Sequence, residues 1–511
     1  MSGILTEASR SEISASALGA FEKIVGARYV LSRAEELATY ECDACLLVKT
    51  RPQLVVLPKT TEEVAEVVKV CRQYQLPFIA RGAGTGLSGG ALAIEGGVII
   101  GLNRMDSIRH INVDNRTATV EVGVVNGWLN EALKPYDLFF APDPSSQSAC
   151  TLGGNIAENA GGIHCIKYGV TTDHILSLEV VLPDGSVMWT GSASRRHHGI
   201  NLTGVMVGSE GTMGIVTQAV VRLLPKPQAV RVYMGAFSTV ESATRCVSEI
   251  IAKGLTPSAL EFMDAFTVKA VNDAFDVGFP EDCQAVLLVE LDGTAEGLAS
   301  QESLLVNLMR KANPSQLLMA ESEADRAKLW KARKLAVAAY GRILPAFYLH
   351  DCVIPRSQLT TVLTKIGEIA EQYQMTVGNV FHAGDGNLHP NILFDPADQA
   401  MVDRIMVGGE EILKVCLSVG GVLSGEHGIG LEKAHYMPLL FSDEDLAKMT
   451  ALKKLFDPDG LANPAKIFPT GGGCGEVNRQ MAPVAAIENS STTTPSSMDG
   501  SVGAAETGLW I

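Results

Sequence analysis

The sequence feature that most constrains the fold is a glycine-rich loop between two apolar segments. Residues 81–90 read RGAGTGLSGG, and five of these ten residues are glycine. Glycine adopts positive φ at little steric cost, so such a loop exposes backbone N–H groups that can surround a phosphate. The apolar segments 76–80 and 97–102 predict a short buried strand on each side of the loop. The pattern therefore predicts an anion-binding loop that joins two strands, with an ordinary glycine-rich turn as the alternative.

Residues 84–89, GTGLSG, also match the dinucleotide-binding fingerprint G-x-G-x-x-G. Asp106 lies about 20 residues beyond, where that fingerprint places a ribose-binding acid. A Rossmann site, however, needs a helix that begins at the last glycine, and each glycine inside a helix costs about 1 kcal/mol. The glycines at 89, 90, 96 and 97 therefore disfavour that site. Without a GK[ST] ending, a nucleoside-triphosphate P-loop is excluded.

Composition limits the class of protein and its partners. The chain has 511 residues, 46% of them hydrophobic, and a formal net charge of −16. Such a chain buries a large core, and its acidic balance argues against a nucleic-acid partner, whose binding depends on clustered cations. No apolar run approaches the roughly 18 residues of a transmembrane helix. We expect a cytoplasmic protein without a transmembrane segment, and peripheral attachment to the inner face of a membrane stays open.

The ten cysteines are scattered along the chain, and Cys42 and Cys45 form its only C-x-x-C pair. Scattered thiols are typical of a reducing compartment rather than of a disulfide framework. A single pair without neighbouring histidines is a weak signal for zinc or for an iron–sulfur cluster. We therefore expect free thiols and no iron–sulfur cluster bound by this chain.

Two further glycine-rich segments follow the first. Residues 150–162 read CTLGGNIAENAGG, and residues 207–217 read VGSEGTMGIVT. Strand-like patterns at 117–124 and 178–182 accompany them and indicate an α+β region. Because a simple phosphate needs only one loop, three loops in one region predict an extended ligand that contacts the backbone at several points.

A change in composition follows Leu224-Pro225-Lys226-Pro227 and predicts a domain boundary. Beyond it, residues 230–237, 259–263 and 285–291 have strand-like patterns interleaved with helical stretches. This order predicts an antiparallel sheet with helices on one side. The predicted divisions are a helical N-terminal segment at 1–48, a ligand-binding domain at 49–227, a second domain at 228–469 whose C-terminal helices return to the first, and a disordered tail at 470–511.

Three long motifs resemble those of a known family. They are RGAGTGLSGGA at 81–91, APDPSSQSACTLGGNIAENAGGIHCIKYG at 141–169 and GSEGTMGIVT at 208–217. Over about residues 20 to 470, the chain resembles the vanillyl-alcohol-oxidase-type flavoproteins, in the branch of D-2-hydroxyacid dehydrogenases and glycolate oxidase catalytic subunits. The resemblance implies a two-subdomain FAD-binding domain of that type, with the antiparallel-sheet domain as a cap over the substrate.

The resemblance also implies the residues that contact FAD, which are Arg81, Gly82, Ala83, Gly84, Thr85, Gly86, Pro142, Asp143, Ser146, Gly153, Gly154, Asn155, Gly161 and Ile215. Some relatives attach the flavin covalently through a histidine in or near the first loop. No histidine occurs between Met1 and Arg109, so we expect FAD to bind non-covalently.

Histidines and a carboxylate in the second domain are candidates for a metal site. His382 and His389 bracket a turn with two glycines, which can direct both imidazoles to one point, and Glu426 can add an oxygen ligand. Two histidines and a carboxylate with an open position suit zinc, manganese or iron(II). From the residues alone, the alternative interpretation is that these histidines form hydrogen bonds within the turn and that Glu426 pairs with a lysine. The matching residues of related D-2-hydroxyacid dehydrogenases are metal ligands, so the resemblance favours the metal.

The neighbouring residue, His427, is a candidate general base, because imidazole titrates near neutral pH. A buried structural histidine is the alternative. The resemblance makes Arg333 the clamp for the substrate carboxylate, a task that suits a planar guanidinium. Asn391 stands at a position that resembles a substrate contact in hydroxyglutarate enzymes.

The resemblance implies oxidation of a small 2-hydroxy acid, glycolate to glyoxylate and D-lactate to pyruvate, with hydride transfer to FAD. A separate acceptor then takes the electrons, either iron–sulfur subunits that lead to quinone or, as an alternative, oxygen. Three other functions stay open: a D-lactate or D-2-hydroxyglutarate dehydrogenase, a transferase like alkyl-dihydroxyacetone-phosphate synthase, and a non-catalytic electron-transfer subunit.

Overall fold

The computed structural model describes residues 13–45, 47–93, 96–194, 199–275, 278–280 and 282–469. The predicted disordered tail at 470–511 lies outside these residues. Helices and β-sheets alternate throughout the described chain, which confirms the predicted α+β class.

The N-terminal half contains three sheets and short helices. Its helices are α1 (Ala15–Val25), α2 (Ala34–Leu37), α3 (Thr61–Gln73), α4 (Asn126–Leu133), α5 (Leu152–Glu158), α6 (Cys165–Tyr168) and α7 (Leu202–Met206). Its strands are β1 (Val30–Leu31), β2 (Leu54–Val56), β3 (Phe78–Arg81), β4 (Val98–Gly101), β5 (Ile108–Asn112), β6 (Thr117–Glu121), β7 (Leu138–Phe139), β8 (Ile175–Val181), β9 (Val187–Trp189), β10 (Ile215–Arg222) and β11 (Leu224–Pro225).

The C-terminal half is built around one large sheet. Its strands are β12 (Ala229–Phe237), β13 (Ala259–Asp264), β14 (Ala285–Gly293), β15 (Gln316–Met319), β16 (Ala346–Leu349), β17 (Cys352–Val353), β18 (Thr376–His382), β19 (Asn387–Leu388) and β20 (Pro390–Phe394). Its helices are α8 (Val240–Ala252), α9 (Ala265–Phe275), α10 (Ala295–Lys311), α11 (Glu323–Lys334), α12 (Ala336–Tyr340), α13 (Leu359–Gln372), α14 (Gln399–Ser418), α15 (Met437–Leu440) and α16 (Asp443–Phe456).

The first sheet positions the first glycine loop. Its strand order is β1-β2-β4-β3, with β4 parallel to both of its neighbours. Helix α3 connects β2 to β3, and the Thr60 hydroxyl accepts a hydrogen bond from Glu63 N at 3.2 Å to cap its start. The loop from 82 onward then leads from the end of β3 to β4. The sequence-based prediction that the loop joins two strands is therefore confirmed.

The second sheet carries the second and third glycine-rich segments. It is antiparallel, in the order β5-β6-β10-β8-β9, and the third segment runs into β10. The second segment forms α5, whose Gly153 N donates to Val122 O at 2.8 Å just after β6. A Cβ at Gly153 would lie 2.8 Å from Val122 Cβ, so only glycine permits this approach. All three glycine segments thus lie at strand ends: the first follows β3, the second packs just after β6, and the third leads into β10.

The large sheet of the C-terminal half is antiparallel, as predicted, but helices cover both of its faces rather than one. Alternate residues of β14 face opposite sides: Leu287 and Val289 pack with α8 and α10, whereas Val286 and Leu288 pack with α9 and α12. An unbroken apolar run such as AVLLV buries both faces of a strand, which is the physical reason for the second helical layer.

The chain after α16 returns to the first sheet. Phe78 at the start of β3 forms a parallel bridge with Ala462, and Asn463 Nδ2 donates to Gly90 O at 2.9 Å. Lys466 Nζ, which is buried, donates to Leu92 O at 2.8 Å. The C-terminal residues therefore brace the first glycine loop, and the domain boundaries stay predictions.

Candidate active site

One cavity of about 870 Å³ extends between the three glycine segments and the large sheet. Ligand cavities of about 300–1,000 Å³ are typical for small molecules and cofactors. Among the described residues, its walls include every residue predicted to bind FAD except Pro142, together with His382, His389, Asn391, Glu426, His427 and Arg333. The fold therefore brings the predicted cofactor and substrate residues to one space.

The first glycine loop lines this cavity, and close neighbours make its glycines necessary. Arg81 Nη2 donates to Cys42 O at 2.7 Å. Gly84 has a φ of 71°, and a Cβ there would collide with the Arg81 guanidinium. A Cβ at Gly82 would collide with the Thr151 hydroxyl, at the start of α5. Bare backbone on the cavity side is what a pyrophosphate-binding loop requires.

Pro142 stands just outside the cavity lining. Its carbonyl accepts a hydrogen bond from Asn126 Nδ2 at 3.0 Å, and Asn126 is fully buried. Asn126 Oδ1 in turn accepts from Asn155 Nδ2 at 3.3 Å, which ties this segment to α5. Direct contact of Pro142 with FAD stays a prediction.

The three predicted metal ligands converge. His382 ends β18, His389 lies between β19 and β20, and Glu426 follows α14. Glu426 Oε1 lies 3.2 Å from His382 Nε2 and 3.5 Å from His389 Nε2. His389 Nε2 is buried and has no hydrogen-bond partner among the described residues. Two imidazoles and one carboxylate, with one nitrogen unsatisfied, form a donor set that fits a divalent cation.

Glu261, which sequence analysis did not select, links two of the predicted residues. Its position on β13 is directly opposite His382 on β18, and its Oε1 lies 2.8 Å from His382 Nδ1. Arg333 Nε donates to Glu261 Oε2 at 2.8 Å. The only sequence signal for Glu261 is a carboxylate inside the apolar strand ALEFMD, which indicates a buried partner.

The charged groups in this cluster shift one another's pKa values. Burial alone would lower the pKa of His382, but Glu261 and Glu426 raise it well above its ordinary value. Burial would raise the pKa of Glu426, yet the hydrogen bond to His382 and the nearby imidazoles hold it at about 2. With its pKa raised in this way, the His382 imidazole carries a second ring proton. A cation bound by His382 Nε2 and Glu426 would displace that proton, because an imidazole that ligates a metal is neutral.

His427 stands beside this cluster with its ring stacked on His389, the ring centroids 5.0 Å apart. Its Nε2 lies 3.9 Å from Glu426 Oε1. Burial lowers the pKa of His427 to about 4, despite the opposing effect of Asp351. The imidazole is therefore neutral at neutral pH and able to accept a proton.

Arg333 and Asn391 also reach the cavity, each with part of its hydrogen-bonding capacity already used. Arg333 is buried on α11, and its Nη2 lies 2.7 Å from Glu261 Oε2, which leaves Nη1 for a ligand. Asn391 Nδ2 donates to His389 O at 2.8 Å, while its buried Oδ1 has no partner among the described residues. Asn391 is thus available only as an acceptor.

Comparison with known proteins assigns the family. Residues 52–191 match the FAD binding domain family, and residues 226–467 match the family "FAD linked oxidases, C-terminal domain". The chain is 43% identical over 476 residues to glycolate oxidase subunit GlcD of Escherichia coli strain K12, covering 93% of this chain and 95% of that protein. The chain belongs to the FAD-linked oxidase family.

A second relative agrees with this assignment, and two solved structures share the fold. The FAD-linked oxidase is 33% identical to the probable mitochondrial D-lactate dehydrogenase of Danio rerio, over 82% of this chain and 84% of that protein. Its fold resembles p-cresol methylhydroxylase, with a TM-score of 0.76 at 17% identity, covering 88% and 96% of the two chains. It also resembles alkyldihydroxyacetonephosphate synthase, with a TM-score of 0.71 at 18% identity, covering 88% and 86%. At such identities the two structures inform on the fold alone.

A histidine that sequence analysis did not select connects the two halves of this FAD-linked oxidase. His164 Nδ1 lies 2.7 Å from Asp143 Oδ2, and its Nε2 lies 3.1 Å from Glu290 Oε1 on β14. Glu290 Oε2 accepts from Trp330 Nε1 at 2.9 Å, one turn before Arg333 on α11. This chain of contacts therefore joins the FAD-binding half to the helix that carries the arginine.

The remaining predictions concern features beyond the cavity. The cysteines in the described part of the FAD-linked oxidase are all free thiols. Among its described helices, none combines the length and the apolar character needed to cross a bilayer. Cytoplasmic localisation stays a prediction.

Proposed function

We propose that this FAD-linked oxidase oxidises a small 2-hydroxy acid at the cap end of the cavity, with glycolate and D-lactate as substrates. The observation that carries the proposal is the convergence of His382, His389, Glu426 and His427 in the same cavity as the glycine loops. Two relatives over nearly the whole chain, a glycolate oxidase subunit and a probable D-lactate dehydrogenase, support the same substrate class.

In this proposal, His382, His389 and Glu426 hold a divalent cation, and the three glycine segments hold FAD without a covalent bond. FAD, when bound, supplies a two-electron acceptor, and the cation supplies positive charge beside the substrate oxygens. The proposed FAD contacts and metal ligands rest on the cavity lining and on the donor set described above.

The side chains of the protein bind and orient the substrate. Arg333 Nη1 pairs with the substrate carboxylate, while Glu261 fixes the guanidinium from the opposite side. His427 accepts the hydroxyl proton at Nε2, the nitrogen that faces Glu426. Asn391 Oδ1 accepts a hydrogen bond at the substrate end of the cavity. Holding the acid in one orientation accounts for much of the expected rate gain.

We assign the side chain of the substrate to the apolar part of the cavity lining. Val337, Phe347, Leu349 and Val380 line the cavity, which favours the hydrogen of glycolate or the methyl group of D-lactate. Lys331 and Lys334 line the same cavity, and this favours D-2-hydroxyglutarate, with its second carboxylate, as a second candidate.

We assign reoxidation of the reduced flavin to a separate electron acceptor, either iron–sulfur subunits or quinone.

Anaerobic mixing of the purified protein with 2-hydroxy acids tests the proposal. We expect glycolate and D-lactate to bleach the flavin and L-lactate to leave it oxidised, because one enantiomer presents its C2 hydrogen to the flavin. Bleaching by D-2-hydroxyglutarate alone would favour the second candidate. A flavin that no 2-hydroxy acid reduces would overturn the proposal and reopen the transferase alternative.

A further inference from the structure

One buried carboxylate oxygen gathers the loop that carries Glu426 and His427. Asp351, just before β17, is fully buried. Its Oδ2 accepts a hydrogen bond from Ser424 Oγ at 2.6 Å. The same oxygen accepts from three consecutive backbone N–H groups, Gly425 at 2.9 Å, Glu426 at 3.0 Å and His427 at 2.9 Å. Four donors on one oxygen are more than a typical carboxylate oxygen receives, since it carries two lone pairs.

These bonds define the conformation of the loop. Three successive N–H groups point to one acceptor only when the backbone curls around that acceptor as an anion-binding nest. The carboxylate of Asp351 fills this nest from within the protein. Glu426 and His427 are two of the three residues in the curl, so the directions of their side chains follow from it.

The surroundings favour a charged acceptor over a neutral one. Lys433 Nζ is fully buried, has no hydrogen-bond partner among the described residues, and lies 3.9 Å from Asp351 Oδ2. The lysine thus offsets a negative charge that would be costly to bury alone. The other oxygen, Oδ1, lies 3.4 Å from His389 Nε2 and faces the proposed metal ligands.

We infer that Asp351 is a positioning residue, which holds loop 424–428 so that Glu426 and His427 face the cavity. It does not belong to the described residues that line the cavity, and it reaches Glu426 and His427 through their backbone N–H groups, while its Oδ1 lies near His389. This inference rests on the proposed function for its consequence in catalysis, but the geometry of the loop does not depend on that function.

The test compares Asp351→Asn with a matched control, Asp264→Asn, in the full-length, FAD-loaded protein. Asp264, the last residue of β13, is a partly buried aspartate that likewise accepts bonds from backbone N–H groups, from Thr267 N at 2.8 Å and from Asn379 N at 2.8 Å. Three measurements are needed: hydrogen exchange of the amides of residues 425–427, binding of zinc alone, and flavin reduction by D-lactate. FAD content and melting temperature are recorded for both variants.

We expect Asp351→Asn to speed exchange at 425–427 and to weaken zinc binding by about 10- to 100-fold, with slower flavin reduction. The control should lose comparable stability while its exchange at 425–427 and its zinc affinity stay those of the wild type. If Asp351→Asn matches the control in exchange and zinc affinity, the inference is overturned. If exchange and zinc affinity change but wild-type flavin is not reduced by any 2-hydroxy acid, the inference stands and the proposed function fails.

Discussion

Glu261 and His382 face each other across two antiparallel strands, with Glu261 Oε1 2.8 Å from His382 Nδ1. The same carboxylate accepts a hydrogen bond from Arg333. One buried group therefore orients both a proposed metal ligand and the proposed substrate clamp. A carboxylate that holds the far nitrogen of a ligating histidine fixes its ring orientation and its tautomer.

The substitution Glu261→Gln keeps the size of this side chain but removes its charge. We expect zinc affinity and the rate of flavin reduction to fall together, by about 10- to 100-fold, while FAD is retained. Glu179→Gln is the control, since Glu179 on β8 of the second sheet accepts bonds from Thr61 on α3 and from Thr217 and Gln218 on β10. Equal effects of the two substitutions would contradict a specific role for Glu261.

Removing a proposed ligand should affect metal and activity in parallel. We expect His389→Ala to lower zinc content and flavin reduction together, because one of three protein ligands is lost. Elemental analysis and anaerobic stopped-flow measurements provide the two values. Full activity of a wild-type protein that holds no divalent metal would rule out the metal site.

Replacing the proposed base, His427, should slow flavin reduction without loss of the metal. His427→Ala should retain zinc and FAD but reduce its flavin about 10²- to 10⁴-fold more slowly, the usual contribution of a general base. Its zinc affinity, set beside that of His389→Ala, separates loss of the base from loss of the metal. An unimpaired rate in His427→Ala would assign the proton transfer to another group.

The first glycine loop makes a prediction about the cofactor. Gly84→Val places a β-branched side chain at a φ of 71° and against the Arg81 guanidinium, so we expect loss of bound FAD. Gly254→Val is the control, because Gly254 has a φ of 83° with no atom within 4 Å of an added Cβ. The flavin-to-protein ratio measures FAD retention, and a Gly84→Val protein with full FAD content would exclude this loop from the FAD site.

Acid precipitation of the wild type should release FAD into the supernatant, whereas colour in the pellet would indicate a covalent bond.

The contact between the two halves should make stability depend on pH. Burial alone would lower the pKa of His164, but Asp143 and Glu290 raise it well above its ordinary value. The charged imidazole therefore contributes stability that is complete below the unfolded pKa of about 6.5 and is lost as pH rises through the folded pKa.

The comparison of wild type with His164→Gln isolates this contribution. The difference in free energy of unfolding, measured with denaturant from about pH 6 upward, should shrink as pH rises. His110→Gln, at an exposed position on β5, serves as the control. A difference that stays constant or grows over this range would show that His164 is not charged in the folded protein.

Local patterns were sufficient to predict much of this fold. The apolar segments around RGAGTGLSGG became β3 and β4, and the segment 285–291 became β14 up to its last two residues. Both predictions rest on short-range effects, namely the conformational freedom of glycine and the burial of apolar runs. The candidate ligands His382, His389 and Glu426 were also accessible to sequence analysis, because their motifs resemble those of a known family.

Tertiary structure alone decided which carboxylates act on these residues. Glu261 is 121 positions from His382 along the chain, yet strand pairing places them side by side. Asp351 is 76 positions from His427, and its four hydrogen bonds depend on a nest that no local pattern predicts. Such pairs arise from register and loop packing between distant segments, and a single sequence carries no short-range signal for them. The second helical layer on the large sheet is an intermediate case: the apolar run AVLLV at 285–289 indicates burial of both faces, but which helices pack on each face depends on the tertiary structure.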